Sequence, residues 1–302
     1  MRLLLNSPRF RRYTVSGVLA LLALSMPMAA WAETILEKIG RTGVLTAGTR
    51  QDAVPFGYVK DGEFVGYSVD ILELIRARAE RELGKPVKLE IKPVDVSTRI
   101  PMVQEGQIDI ECGATSSTWA RERYVDFTVP FFLTGTQLLV PANSAIKGPA
   151  TLGDKTVGVI QGTTNEGAVR NIRPEVTVVY VSDRADGIAK LQAGEIDAFA
   201  SDGALLQGVL KTNPGATQMK IVPDGPIQAE AYACMVPQNQ SLWRDMVNMA
   251  LLSHMEAVVA NDPTANGLYD RWFGANGVIN YPKALNIDFY KGILNGFERA
   301  PR

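Results

Sequence analysis

One hexapeptide pattern occurs twice in this 302-residue chain, as QEGQID at 104–109 and QAGEID at 192–197, both Q-x-G-x-I-D. Each copy closes a segment with helical apolar spacing, 99–104 in the first and 186–192 in the second. Glycine suits a left-handed helix stop because it has no Cβ to clash there. The Ile-Asp pair then opens a strand, IDIECGA in one copy and IDAFASD in the other. A helix feeding a strand at two corresponding places predicts an α/β chain built as two related lobes. Five residues beyond the aspartate the copies part, to Ala114 and Asp202. Ligands of open α/β sheets gather outside the carboxyl ends of the strands. The two divergent loops are therefore expected to face one another across a cleft.

The intervening pattern fits. Strands are expected at 43–50, 87–94, 135–144, 156–162, 175–183 and 230–237, and helices over 65–84, from Thr98, after Thr163, and through 242–260 and 267–273. Crossings near 137–141 and 226–231 would make a two-stranded hinge. That divides the chain into a first lobe of 33–138 with 231–302 and a second of 139–230.

The first 32 residues have a different character. Arg2, Arg9, Arg11 and Arg12 precede an apolar run at 15–24 and the small-x-small sequence Ala30-Trp31-Ala32. That is the build of a signal peptide, cleaved after Ala32. No later segment is apolar for long enough to span a bilayer, so an exported, soluble, periplasmic protein is expected. The leader carries four arginines and no acids, which leaves 27 basic against 32 acidic residues in the mature chain. A net acidic protein has no electrostatic reason to seek nucleic acid or anionic lipid. The two cysteines, Cys112 and Cys234, would reside in an oxidising compartment, where they form a candidate disulfide.

The runs PFGYVKDGEFVGYSVDI, TSSTWARERYVDFTVPFF, QGTTNE, IDAFASDGALL and EAYACMVP occur in order across the mature chain. Together they resemble the family 3 solute-binding proteins, the periplasmic receptors of polar amino-acid ABC transporters. TRQDAVPFGY, TRIPMVQEGQIDIECGATSS and EAYACM are closer to the glutamate/aspartate-binding subgroup. The resemblance implies a type II periplasmic-binding-protein fold, with two lobes, a two-stranded hinge and a cleft between them. It implies an amino acid as ligand and the membrane permease subunits as partners, with no cofactor. A monomer is expected.

A zwitterion stripped of water needs a partner for each charge. The family places its α-carboxylate arginine at the position of Arg121, in a helix that Ser117 or Thr118 could cap. Ala114 and Ser116 match loop positions that touch the ligand. From the other lobe, Thr163 and Thr164 are expected to donate to the same carboxylate, and Asp202 to receive the α-ammonium. Phe56 and Tyr67 are candidate pocket walls or core residues. Arg50 and Arg99 would add guanidiniums for a side-chain carboxylate, which predicts an acidic ligand. The subgroup tends to have histidine where this chain has Arg184, so the choice among glutamate, aspartate and a larger anion stays open.

The rival readings are a same-fold enzyme similar to cyclohexadienyl dehydratase, a receptor for a neutral polar amino acid or another small carboxylate, and a signalling receptor. Acid–base chemistry requires a placed proton donor or acceptor. The one histidine, His254, falls in a helix away from every cleft loop, and Glu111 beside Cys112 is the remaining candidate acid. Zinc clusters and hydrolase triads lack their histidines and cysteines. A phosphate loop lacks its lysine. A binding protein rather than an enzyme is expected.

Overall fold

The computed structural model describes residues 33–298, and the expected signal peptide lies outside the described residues. The chain opens with helix α1 (Ile35–Thr42) and strand β1 (Val44–Thr49). Strands β2 (Asp52–Ala53), β3 (Gly57–Lys60) and β4 (Glu63–Val65) form a small antiparallel sheet. Then come helix α2 (Tyr67–Leu83), strand β5 (Lys88–Pro93), helix α3 (Arg99–Gln104) and strand β6 (Ile110–Glu111). The short helix α4 (Trp119–Glu122) and strand β7 (Asp126–Phe127) follow. A ten-residue strand, β8 (Phe132–Pro141), leads into β9 (Thr156–Ile160), α5 (Thr164–Ile172), β10 (Thr177–Val181) and α6 (Arg184–Ala193). Strand β11 (Ala198–Asp202), helix α7 (Gly203–Thr212), and strands β12 (Met219–Val222), β13 (Gln228–Tyr232) and β14 (Met235–Val236) come next. Helices α8 (Ser241–Val259), α9 (Pro263–Phe273) and α10 (Lys283–Leu294) end the described chain.

Two mixed sheets form the lobes. The first runs β5-β1-β6-β14-β7 and the second β10-β9-β11-β8-β12, with β13 also on β8. Within each, three strands are parallel: β5, β1 and β6 in one, β10, β9 and β11 in the other.

The repeated hexapeptide does the same work in both sheets. Gly106 and Gly194 stop their helices at φ +67° and +71°. The amide of Asp109 donates to Thr46 O at 2.8 Å while its carboxylate accepts from Thr46 N at 3.0 Å. Asp197 makes the same pair with Thr156, at 2.8 and 2.9 Å. The neighbouring isoleucines need flat ground: a Cβ on Gly48 or Gly158 would lie 2.6 Å from Ile108 Cδ1 or Ile196 Cδ1. A second repeated element, T-x-G at 46–48 and 156–158, thus partners the first.

The lobes are joined by β8 and β13, which pair antiparallel from Phe132↔Tyr232 to Thr136↔Gln228. The first crossing therefore lies at 132–136, ahead of the 137–141 expected from sequence; residues 138–141 already pair with β12. The single strand expected at 230–237 is two strands. β13 belongs to the second sheet and β14 to the first, with Cys234 N donating to Thr128 Oγ1 between them.

The first-lobe core is aromatic. Phe56, Tyr67, Phe131, Phe132, Tyr232 and Phe273 are fully or almost fully buried and meet largely edge-to-face or tilted. Each such side chain contributes roughly 1.5–3 kcal/mol of burial. Phe132 and Tyr232 belong to this core and to the connecting ladder alike, so the hinge is rooted in the first lobe.

Candidate functional site

The residues singled out from sequence as ligand-binding converge. Arg50, Arg99, Ala114, Ser116 and Arg121 from the first lobe, and Thr163, Thr164, Arg184 and Asp202 from the second, line one small cavity, with about 20 Å³ open to a water-sized sphere. Val96 and Asn165 also line it, and neither was singled out from sequence. Phe56 and Tyr67 do not; both are core residues, Tyr67 bonded through its hydroxyl to Tyr290 at 3.0 Å. Cys112 and Cys234 are joined by a disulfide behind the site, their Cα atoms 4.4 Å apart.

Arg121 reaches the cavity from α4, whose N-cap is Thr118; the Thr118 hydroxyl accepts from Arg121 N at 3.3 Å. Its guanidinium is held by Ser116 O at 2.7 Å and, across the cleft, by Gly162 O at 3.2 Å. These contacts fix the fork while leaving other donors for an anion. Burial pushes the Arg121 pKa down, against the pull of Glu230, Glu111 and Asp202.

Thr163 donates its hydroxyl to Ile160 O at 2.7 Å, and Thr164 donates to the carboxylate of Glu230. Each hydroxyl has one proton, so neither side chain here is a donor toward the cavity. Glu230, in β13, also accepts from Ser116 and from Thr136, the latter at 3.0 Å. Burial and then Asp202 push its pKa upward. Asp202 accepts from Asn165 Nδ2 at 2.8 Å and from the Tyr232 hydroxyl. The base of the cavity is therefore a ring of acceptors: Asp202, the Ser116 and Thr164 oxygens, and Glu230 beneath them.

The opposite end is cationic. Arg50 and Arg184 are 5% and 8% exposed, and both contact Asp52. Arg50 meets Asp52 Oδ1 at 2.7 Å and Arg184 meets Oδ2 at 2.7 Å. Burial opposes charge on Asp52, but Arg184 and Arg50 outweigh it and hold its pKa below the usual value. Arg99 donates to Thr115 Oγ1 at 2.6 Å, and that hydroxyl donates to Glu111 at 3.2 Å. Burial, aided by the charge of Arg121, depresses the Arg99 pKa to about 9. Burial likewise raises that of Glu111, despite Arg99 beside it. Glu111, the candidate acid from sequence, is thus a buried support of Arg99. His254 packs against Tyr67 in the core, where burial lowers its pKa to about 4.

Among the described residues, no helix is long and apolar enough to cross a membrane, and no cluster of three or more histidine, cysteine or acidic side chains could hold a metal.

Two lobes on a paired-strand hinge, with a charged cavity from both, define a two-lobed periplasmic-binding-protein fold. Residues 45–275 match the bacterial extracellular solute-binding proteins, family 3, and the chain belongs to that family. It is 31% identical over 289 residues to the glutamate/aspartate import solute-binding protein of Escherichia coli K12, covering 92% of this chain and 93% of the relative. It is 32% identical over 274 residues to the L-glutamate/L-aspartate-binding protein of Pseudomonas aeruginosa, covering 88% of each. A solved structure of an ancestral arginine-binding protein bound to glutamine superimposes with a TM-score of 0.66 at 32% identity, over 77% of this chain and 98% of that one. The family is that of amino-acid ABC-transporter binding proteins.

Proposed function

We propose that this protein captures an acidic L-amino acid in the periplasm and delivers it to an ABC permease in the inner membrane. The observation that carries the reading is the charge of the cavity: Arg50, Arg99, Arg121 and Arg184 face it against the single lining carboxylate of Asp202. Arg121 takes the α-carboxylate and Asp202 the α-ammonium. The remaining guanidiniums lie where a side-chain carboxylate would relieve their mutual repulsion. Capture proceeds by closure, because the ligand bridges groups from both lobes and favours the state in which both touch it. The site is one of binding, not chemistry. Its buried acids are engaged within the protein: Glu111 supports Arg99 through Thr115, Glu230 takes the Ser116 and Thr164 hydroxyls, and Asp202 takes Asn165 and Tyr232.

A neutral polar ligand is the second reading, favoured by Asp52, which already neutralises part of the Arg50–Arg184 charge. Calorimetric titration of unfolded and refolded mature protein with L-glutamate, L-aspartate, L-glutamine and L-arginine separates the two. Tight binding confined to the acidic pair supports the first reading. Binding of glutamine or arginine with the acids silent refutes it.

A further inference from the structure

We propose that Asp52 sets the side-chain charge this pocket accepts, acting as an internal carboxylate on the Arg50–Arg184 pair. This rests on the reading of the cavity as an amino-acid site.

The geometry is that of one carboxylate shared by two buried cations from different lobes. Arg50 follows β1 in the first lobe, and its Nε and Nη2 reach Asp52 Oδ1 at 2.9 and 2.7 Å. Arg184 opens α6 in the second lobe, and its Nη1 reaches Asp52 Oδ2 at 2.7 Å. Both arginines line the cavity, whereas Asp52 lines the adjoining groove on the outer side, its side chain 34% exposed. Asp52 therefore holds the pair from behind while the guanidiniums face inward. Among the described residues, the Nε atoms of Arg184 and Arg99 are buried without a hydrogen-bond partner. Those are donors left for a ligand.

The charge arithmetic follows from the contacts. Arg50 and Arg184 together carry two positive charges, Asp52 cancels one of them, and Arg99 has its own buried carboxylate in Glu111, reached through Thr115. The residue of one charge suits a tail bearing one carboxylate. A tail with two charges would oppose Asp52 across the same guanidiniums, and an uncharged tail would leave the pair under-neutralised. Removing the carboxylate of Asp52 should shift the preferred tail by one negative charge.

The experiment compares native protein with Asp52→Asn by calorimetry against L-glutamine, L-glutamate and O-phospho-L-serine, whose tails differ stepwise in charge. Native protein is expected to favour glutamate. In Asp52→Asn the glutamate-to-phosphoserine Kd ratio should move by about tenfold or more toward phosphoserine, the scale of a close charge pair. Asp52→Glu keeps a carboxylate and should keep the native order. Asp52→Ser provides the same neutral comparison should the asparagine variant fail to fold. If native protein prefers glutamine, the acidic-ligand reading falls, but Asp52→Asn must still shift preference toward glutamate. Parallel weakening of every ligand, with ratios unchanged, overturns the inference and leaves Asp52 as a tie between lobes. Silence of all three ligands on both proteins overturns it together with the reading beneath it.

Discussion

Ser116 and Glu230 are joined across the base of the cleft, the serine hydroxyl donating to the glutamate carboxylate. Thr164, from the other lobe, gives its proton to the same oxygen. Both hydroxyls therefore present lone pairs, not protons, to the cavity. That arrangement suits a ligand ammonium. In Glu230→Gln the hydroxyl protons are freed to turn, so discrimination between L-glutamate and 2-oxoglutarate, which lacks the ammonium, should narrow by about tenfold. The ratio of the two Kd values is the readout; an unchanged ratio contradicts the assignment.

Arg121→Ala should weaken every amino-acid ligand alike, by about 3–5 kcal/mol, because a desolvated carboxylate loses its partner. It also removes the contact to Gly162 O, a bond across the cleft. Titration of native and variant protein with glutamate, aspartate and glutamine tests this. Normal binding would mean that the α-carboxylate lies elsewhere.

The Cys112–Cys234 disulfide spans a sequence separation of 122 residues. Closing a loop of that order restricts the unfolded chain by about 4–5 kcal/mol in the chain-entropy model. Urea unfolding of native protein and the Cys112→Ser/Cys234→Ser variant should differ by about 2–5 kcal/mol. A difference within error would show that the unfolded chain is already compact.

The two repeat aspartates should separate by burial. Asp109 has no exposed side-chain surface and also receives Lys38 Nζ at 2.6 Å, whereas the Asp197 side chain is 41% exposed. Asp109→Ala should cost about 3 kcal/mol and Asp197→Ala about 1 kcal/mol, since only the first strands buried polar groups. Equal losses in denaturant unfolding would remove burial as the cause.

Much of this was legible because it depends on local pattern. The Q-x-G-x-I-D pair located both helix stops and both site strands, since glycine caps and period-two strands act within a few residues of themselves. The T-x-G partner was equally readable, and was missed because its copies lie 63 and 41 residues from their aspartates. Asp52 and Glu230 had no such signal. Asp52 sits two residues from Arg50 and reads as loop solvation; its second partner, Arg184, is 132 residues away. Glu230 reads as an ordinary strand position until folding brings Ser116 and Thr164 onto it. Phe56 and Tyr67 show the converse: aromatic residues near a ligand loop, drawn into the core by Phe132 and Phe273.

Acidity should act through Glu111. Burial raises its pKa above the ordinary carboxylate value of 4.5, against the opposing pull of Arg99. A raised folded pKa contributes stability that is present below the unfolded value and is lost as pH rises through the folded one. Glu111 should therefore contribute a loss of stability as pH climbs above its unfolded value, and the stability difference between native protein and Glu111→Gln should fall over that range. Thermal unfolding across mildly acidic to neutral pH checks it. Parallel profiles would show that Glu111 does not titrate in this range.

The disulfide ends on Cys234, two residues beyond the end of β13, and the amide of Cys234 is held by Thr128. One of the two connecting strands is thus clamped at its root to the first-lobe sheet. A beam fixed at one end bends along its free length, not at its mounting. In the proposed closure, bending is then expected in the short ladder between 133–136 and 228–231, with the distal lobe moving relative to the proximal one. Any docking partner that grips the proximal lobe would therefore sense ligand through the swing of the other.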